Sequence, residues 1–173
     1  GGTYKPSYLR TTTAGVTHDQ RLYSFVVPEG VSIYGGFGGT EKYTSGTVTS
    51  IPGMDEIFSN IENEELTPIL NARAYSDFNQ NNILEPWELA NQTILSGQIN
   101  ASSTAQNAYH VVFTDKGTTT NPVVLDGLTV MYGQTDDELS YSTKEDEQGR
   151  GGGIYSNGVT YSISRCRLLN NTA

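Results

Sequence analysis

Cysteine and histidine are scarce in this chain of 173 residues. The single cysteine, Cys166, excludes an internal disulfide, and we expect it to be buried as a small apolar residue. The two histidines, His18 and His110, fit no zinc-ligand spacing and no serine–histidine–acid arrangement. We expect His18 to be exposed in a polar loop and His110 to have a structural role in a strand.

Positive charge is also in the minority. Ten lysines and arginines stand against nineteen aspartates and glutamates, which gives a formal net charge of −9. A nucleic-acid partner is not expected, because binding to phosphates needs a basic patch. The acidic surplus suits divalent cations and favours the solubility of an exported protein.

Long apolar runs are missing. No stretch of about eighteen apolar residues occurs, so no membrane-spanning helix is predicted. Short runs, many rich in β-branched or aromatic residues, alternate instead with glycine-rich and polar joints, which predicts an all-β chain. Only 54–70 and 85–91 favour helix, and a proline limits each of them. The predicted strand regions are 25–27, 31–34, 93–95, 109–113, 123–131 and 161–169.

An internal repeat accompanies these runs. Residues 94–99 align with 124–129 at a shift of 30, and 125–130 align with 163–168 at a shift of 38. Repeated short strands broken by Gly or Asn are typical of a parallel β-solenoid, whose coils stack because none buries its inner face alone. An antiparallel sandwich is the alternative, but it does not explain the shared strand pattern.

Two segments interrupt the repeat, namely 42–92 and the acidic stretch 134–150. We predict a single domain over 1–173, with a small helical, calcium-binding insertion at 42–92. The stretch 134–150 is interpreted as a second insertion, a solvated surface loop.

Residues 77–88 have the spacing of a twelve-residue calcium loop, which takes oxygen ligands from positions 1, 3, 5, 7, 9 and 12. The predicted ligands are therefore Asp77, Asn79, Asn81, Ile83 through its carbonyl, Glu85 and Glu88. The loop resembles those of EF-hands and dockerin repeats, although a dockerin pairs two such loops and only one is present here. An asparagine-rich turn without metal is the alternative.

Three further residues of this loop carry expectations. Asn82 stands at position 6, where glycine is usual because the turn needs a left-handed backbone, and asparagine tolerates that conformation. Leu84 is expected to pin the loop to its surroundings. Pro86 is well placed to begin an exiting helix, which Trp87 and Leu89 would pack down.

Other motifs carry a family resemblance. Residues 30–41 read GVSIYGGFGGTE, the most specific match, and 93–97 read TILSG, followed by Gln98 where Asp is usual. Shorter matches lie at 3–6, 107–112 and 125–130. Together they resemble the right-handed parallel β-helix proteins found on the surface of Bacteroidetes and related bacteria.

The last part of the chain resembles a second group. Residues 151–154 read GGGI, and 168–171 read LLNN with Leu168 in place of Phe. These segments are similar to the GGxI and FxxN repeats of chlamydial polymorphic outer membrane proteins. Both resemblances imply a right-handed parallel β-helix and a secreted or outer-surface location, but they do not fix an activity. Because a solenoid needs polar caps, we expect further coils beyond Ala173 or another chain over that end.

Two classes of function follow. The first is a non-enzymatic surface module, an adhesin or scaffold that binds glycans or surface proteins and is stabilised by calcium; a subunit of a larger secreted assembly overlaps with it. Eleven tyrosines could supply aromatic binding surface. The alternative is a pectate-lyase-like β-helix that binds or cleaves polysaccharide, with Asp126, Arg165, Arg167 and the calcium loop as candidates. Arg165 and Arg167 lie two apart, so they are expected to share a strand face. Asp126 aligns with Ser164 one coil away, and solvated outward side chains are the simpler interpretation.

Overall fold

The computed structural model describes residues 1–7, 20–38, 73–99, 107–114, 120–135 and 150–173. Across these ranges the chain forms mostly short strands, and its one helical element is the 3-10 turn Gln20–Leu22. None of the described helical structure is long and apolar enough to cross a membrane. The strands are Gly2–Tyr4 (β1), Phe25–Val26 (β2), Ser32–Tyr34 (β3), Thr93–Ser96 (β4), Val112–Thr114 (β5), Val123–Asp126 (β6), Leu128–Met131 (β7), Ile154–Ser156 (β8), Tyr161–Ser164 (β9) and Arg167–Leu169 (β10).

The strands form three parallel sheets in which each strand pairs with the third strand after it in the chain. The sheet orders are β1-β4-β7-β10, β2-β5-β8 and β3-β6-β9. Each connection between paired strands therefore passes through one strand of each of the other two sheets. The predicted all-β, parallel character is confirmed, and the antiparallel sandwich is wrong for the described strands.

The core is built from alternate residues of the central strands. Val123 and Leu125 in β6, and Leu128 and Val130 in β7, are each at most 1% exposed. Alternation places these side chains on one face of their strands, where they pack with residues such as Leu95 in β4. Complete burial of such a side chain stabilises the fold by roughly 1.5–3 kcal/mol.

The register of the sheets tests the two repeat alignments. Leu125 lies beside Ile163, at the predicted shift of 38, so that alignment is confirmed. The shift of 30 is wrong, because Ile94 lies beside Thr129, a shift of 35. The strands β6 and β7 are both short and apolar and flank Gly127, and the sequence pattern matched β4 to the wrong one of the two.

Strand positions agree with the sequence in most of the predicted runs. The runs 123–131 and 161–169 each contain two strands, because the chain turns at Gly127 and at Arg165. The run 109–113 is strand only from Val112 onward. The sequence missed β1 and β8, whose short stretches have little apolar pattern of their own.

Glycines beside the strands let neighbouring segments of the chain approach closely. A Cβ atom on Gly133 would overlap the carbonyl oxygen of Gly152, and one on Gly152 would overlap the carbonyl oxygen of Thr172. The Asn171 side chain joins the same corner: its Oδ1 accepts the Gly133 N–H at 2.9 Å, and its Nδ2 donates to the Val130 carbonyl at 2.9 Å. Glycine at these corners therefore provides space that no other residue leaves.

A second corner depends on backbone conformation. Gly127, after β6, has a φ of 70°, and Arg165, after β9, has a φ of 50°. Gly36, two residues after the end of β3, has a φ of 89°. The left-handed region suits glycine and strains other residues, so Arg165 is an unusual occupant of this corner.

Both predicted insertions fall partly outside the described residues. All of 54–70, where a helix was expected, and 136–149 of the acidic stretch lie outside the described residues. The helix expected over 85–91 is absent: Pro86 and Trp87 form a turn. The chain then returns in extended form and pairs antiparallel with 74–76, through Ser76 N–H to Glu88 O at 2.9 Å and Ala90 N–H to Ala74 O at 2.8 Å. We call 74–76 and 88–90 the stem.

The residues singled out for their reactivity lie in packed surroundings. His110 is fully buried, with Nδ1 3.2 Å from the Gly151 carbonyl oxygen, and its ring centroid lies 4.9 Å from that of Tyr155. Its predicted structural role agrees with this position. Cys166 is partly buried against the core, and burial raises the pKa of its thiol. His18 lies outside the described residues.

We predict that Gly133→Ala lowers the free energy of unfolding by about 1–3 kcal/mol, because the added methyl group overlaps the Gly152 carbonyl oxygen. Urea denaturation followed by circular dichroism measures the change. Gly2→Ala is the matched control, since a Cβ there meets no atom nearer than 3.6 Å. Equal stability of the two variants would contradict a tightly packed corner.

Candidate metal centre

The loop 77–88 has left-handed backbone at two positions. Asn82 has a φ of 63°, which is the conformation expected at position 6 of a calcium loop. Gln80 has a φ of 59°. These two residues turn the chain sharply, so that side chains of alternate residues come within hydrogen-bond distance of one another.

Backbone N–H groups orient the oxygens of the first half of the loop. The Asp77 carboxylate accepts from Asn82 at 2.8 Å and from Asn81 at 3.2 Å. The Asn79 side-chain oxygen accepts from the Asn81 N–H at 3.0 Å, and the Asn81 oxygen accepts from the Ile83 N–H at 2.8 Å. Three of the predicted ligand side chains are therefore held by the turn itself.

Glu88 closes the loop. Its side chain is fully buried, and its carboxylate accepts from the N–H groups of Phe78 at 2.9 Å, Asn79 at 3.2 Å and Glu85 at 3.0 Å. Burial raises the pKa of Glu88, but these hydrogen bonds favour the charged form and bring the pKa below its ordinary value. Glu88 is therefore an anion at neutral pH.

Glu85 draws the two asparagines to the same centre. Its carboxylate accepts from Asn79 Nδ2 at 2.9 Å and from Asn81 Nδ2 at 3.0 Å. Hydrogen bonds thus connect the five residues that were predicted to bind through side-chain oxygens. The sixth, Ile83, donates its N–H to the Asn81 side-chain oxygen. In the described residues, no three or more His, Cys, Asp or Glu side chains form a metal centre by themselves. A cation here would need amide and carbonyl oxygens besides the carboxylates, a donor set that suits calcium.

The expected role of Leu84 is wrong. Its side chain is 52% exposed, as are Phe78 at 43% and Ile83 at 62%, so the tip of the loop is apolar and open. The loop is held at its base instead. Leu89 is 3% exposed, and the Trp87 ring lies 4.8 Å from the guanidinium carbon of Arg167 in β10.

Beneath the stem lies a buried ionic cluster of Arg73, Asp126 and Arg165, which we call the arginine clamp. Arg73 Nη1 donates to Asp126 Oδ1 at 2.6 Å and to the Gly35 carbonyl at 3.0 Å. Arg165 donates from Nε to Asp126 Oδ1 at 3.0 Å and from Nη2 to Oδ2. The three side chains are at most 4% exposed.

The clamp corrects the predicted placement of the lyase candidates. Asp126 pairs in register with Ser164, as predicted. However, Asp126 and Arg165 are buried rather than solvated, because each satisfies the other's charge. Arg165 and Arg167 share no strand face, since Arg165 occupies the corner between β9 and β10. Sequence reasoning missed Arg73, for which no local signal exists.

Two cations share one carboxylate in the clamp. Burial lowers the pKa of Arg165 to about 10, and the nearby charge of Arg73 acts in the same direction. Burial also lowers the pKa of Arg73 and raises that of the adjacent Tyr75. Both arginines remain cations at neutral pH, so the charge of Asp126 is needed to hold them in the interior.

Comparison of the chain with models of protein families, with curated proteins and with solved structures found no match. The chemistry of the loop and of the clamp is therefore interpreted from geometry. The loop gathers hard oxygen donors that could hold a cation. The clamp is enclosed and lies out of reach of a polymeric substrate.

We predict that Asp126→Asn destabilises the fold by roughly 3–5 kcal/mol, because it leaves two buried guanidinium groups without a counter-charge. Chemical denaturation followed by circular dichroism measures the loss. The double variant Asp126→Asn with Arg165→Met is the control, and it should regain part of the stability because one uncompensated cation is removed. A double variant no more stable than the single one would contradict this electrostatic explanation.

Proposed function

We propose that this chain is a right-handed parallel β-helix module that acts outside the bacterial cell or on its outer surface. In this proposal the module is a non-enzymatic scaffold that binds glycans or surface proteins, and its loop 77–88 binds calcium. The observation that carries the proposal is the strand order, in which the chain visits three sheets in turn before it returns to the first.

Several features support the helical coil. Connections between parallel strands of one sheet are right-handed in almost all proteins, because the twist of the strands favours that hand. The chain also comes close to itself between β7 and β8, where a Cβ atom on Gly133 would overlap the carbonyl oxygen of Gly152. Stacked coils bury a continuous column of aliphatic side chains, which agrees with the buried residues of β6 and β7.

The geometry of the loop supports calcium as its ligand. The proposed ligands are the six oxygens predicted from the spacing, from Asp77 to Glu88, with Glu88 as the closing carboxylate. Its burial in charged form supports this role, since a buried anion is stabilised by a nearby cation. Calcium would replace hydrogen bonds among the ligand residues of the loop and hold the loop in one conformation. Its role would therefore be structural.

Binding is better supported than polysaccharide cleavage. A lyase base must come within hydrogen-bond distance of the substrate proton. The side chains of Asp126 and Arg165 are only 4% and 2% exposed, and Arg167 lies over the Trp87 ring. Exposed aromatic and aliphatic side chains, by contrast, offer surface for a partner: Tyr4 is 50% exposed and Ile83 is 62% exposed.

We predict that metal-stripped protein binds one calcium ion with a Kd between about 10⁻⁷ and 10⁻³ M, the range of comparable loops. Asp77→Asn should weaken binding roughly tenfold or more, because it removes a carboxylate oxygen from the ring. Isothermal titration calorimetry measures both. Gln80→Asn is the control, because Gln80 is a loop residue outside the ligand set. Asparagine tolerates the positive φ of this position, so the variant should keep the loop conformation. Absence of calcium binding by the unaltered protein would overturn the calcium part of the proposal.

The proposal also predicts glycan or protein binding without turnover. Glycan arrays and incubation with acidic polysaccharides, followed by ultraviolet absorbance of unsaturated products, make the test. Binding with no unsaturated product is expected. Product formation that is lost in Arg167→Ala would support the lyase instead.

A further inference from the structure

The stem is seated on a corner where successive coils meet. A Cβ atom added to Gly127 would lie 2.7 Å from Arg73 Nη1 and 2.8 Å from Leu89 Cδ1. One added to Gly36 would lie 2.7 Å from Leu89 Cδ1. Leu89 of the stem and Arg73, which precedes the stem, therefore lie against the same pair of corner glycines, and the fit leaves no room for a side chain on either glycine.

The arginine clamp joins this seat to three levels of the sheets. Arg73 bonds the Gly35 carbonyl, which follows β3, and Asp126, which ends β6. Asp126 is bonded in turn by Arg165, which follows β9. The strands β3, β6 and β9 are adjacent in one sheet. Arg73, which lies next to the stem, is therefore connected directly or through Asp126 to every described strand of that sheet.

The distance along the chain from the clamp to the loop is short. Arg73 immediately precedes the stem, and Asp77 immediately follows its first half. Glu88 belongs to both the loop and the stem: its carboxylate closes the loop, while its carbonyl accepts the Ser76 N–H at 2.9 Å. Its neighbour Leu89 is buried against the corner. A change in the position of Glu88 is therefore a change in the position of the stem.

We propose that the arginine clamp couples calcium binding in the loop 77–88 to the stability of the stacked sheets, with Arg73 as the positioning residue. The inference rests on the proposed calcium site. A stem fixed by the clamp holds Asp77 and Glu88 at the separation that the cation needs, which raises affinity by preorganisation. Linkage is reciprocal, so a bound cation stabilises the sheets by the same factor.

Two probes separate local binding from global stability. Trp87 is the only tryptophan and lies inside the loop, so it is placed to sensitise the luminescence of Tb³⁺, used in place of Ca²⁺. Thermal unfolding followed by far-ultraviolet circular dichroism reports on the sheets. In the unaltered protein we expect Tb³⁺ luminescence that Ca²⁺ competes away, and a higher unfolding midpoint with Ca²⁺ than with a chelator.

Arg73→Met keeps an aliphatic side chain but removes the bonds to Asp126 and Gly35. We expect roughly tenfold weaker Tb³⁺ binding and loss of most of the calcium-induced rise in midpoint. Arg21→Met is the matched control, because Arg21 bonds the carbonyls of Asn107 at 2.9 Å and Gln134 at 2.8 Å, which are not part of the loop or the clamp. It should lower the midpoint but keep the calcium-induced rise.

The outcomes are distinguishable. If the Arg73→Met variant binds Tb³⁺ as tightly as the unaltered protein and keeps the full calcium-induced rise, the coupling is wrong while the calcium site stands. If the unaltered protein gives no Tb³⁺ luminescence and no calcium-induced rise, both proposals fail. If Arg73→Met does not fold, Arg73→Lys replaces it; it keeps the charge beside Asp126 without the planar donor group, and an unchanged calcium-induced rise there overturns the coupling.

Discussion

Parallel pairing between one strand and the third strand after it is the constraint on which the rest of this structure depends. No strand among the described residues exceeds four residues. Strands this short are stable only when they pair with several neighbours and share a common aliphatic core. Val123, Leu125, Leu128 and Val130 are buried because strands lie on both sides of them in each sheet. The same packing brings the backbone into close contact beside the sheets, as at Gly133 and Gly152.

The buried charges follow from the same constraint. Asp126 ends β6, where it lies in register between Tyr34 of β3 and Ser164 of β9. One arginine reaches it from the next level, and another from the segment that leaves the sheets near Gly35. An intact buried ion cluster contributes little net stability, because its charges lose their hydration. Removal of one partner is nevertheless strongly destabilising, since a buried cation without a counter-charge remains.

Much of the fold could be predicted from local sequence, because the pattern that makes a strand is local. The stretch 123–126 is a short apolar run rich in valine, and it is a strand. Both β1 and β8 were missed by the sequence analysis. Each has only three residues, and its conformation depends on pairing with a neighbouring strand rather than on its own composition. The helix expected over 85–91 failed because the Glu88 carboxylate binds N–H groups of the loop, and the chain after it pairs with 74–76.

The loop was visible in the sequence because its donors lie at fixed spacing within twelve residues, whereas the clamp was not. Asp126 and Arg165 appeared as members of an exposed patch, and their contact with Arg73 depends on tertiary packing across 53 residues. Sequence spacing carries information about turns, but it says nothing of which distant segment comes to lie on a corner.

The corner after β6 requires one residue, Gly127, whereas the equivalent corner after β3 opens into residues 35–92 before β4 begins. The strands on either side keep their parallel register in both cases. Such a position is a permissive graft point: whole modules can be gained or lost there during evolution while the scaffold stays unchanged. Diversity in a protein of this architecture would then arise from what departs at its corners, with the sheets themselves as a conserved frame.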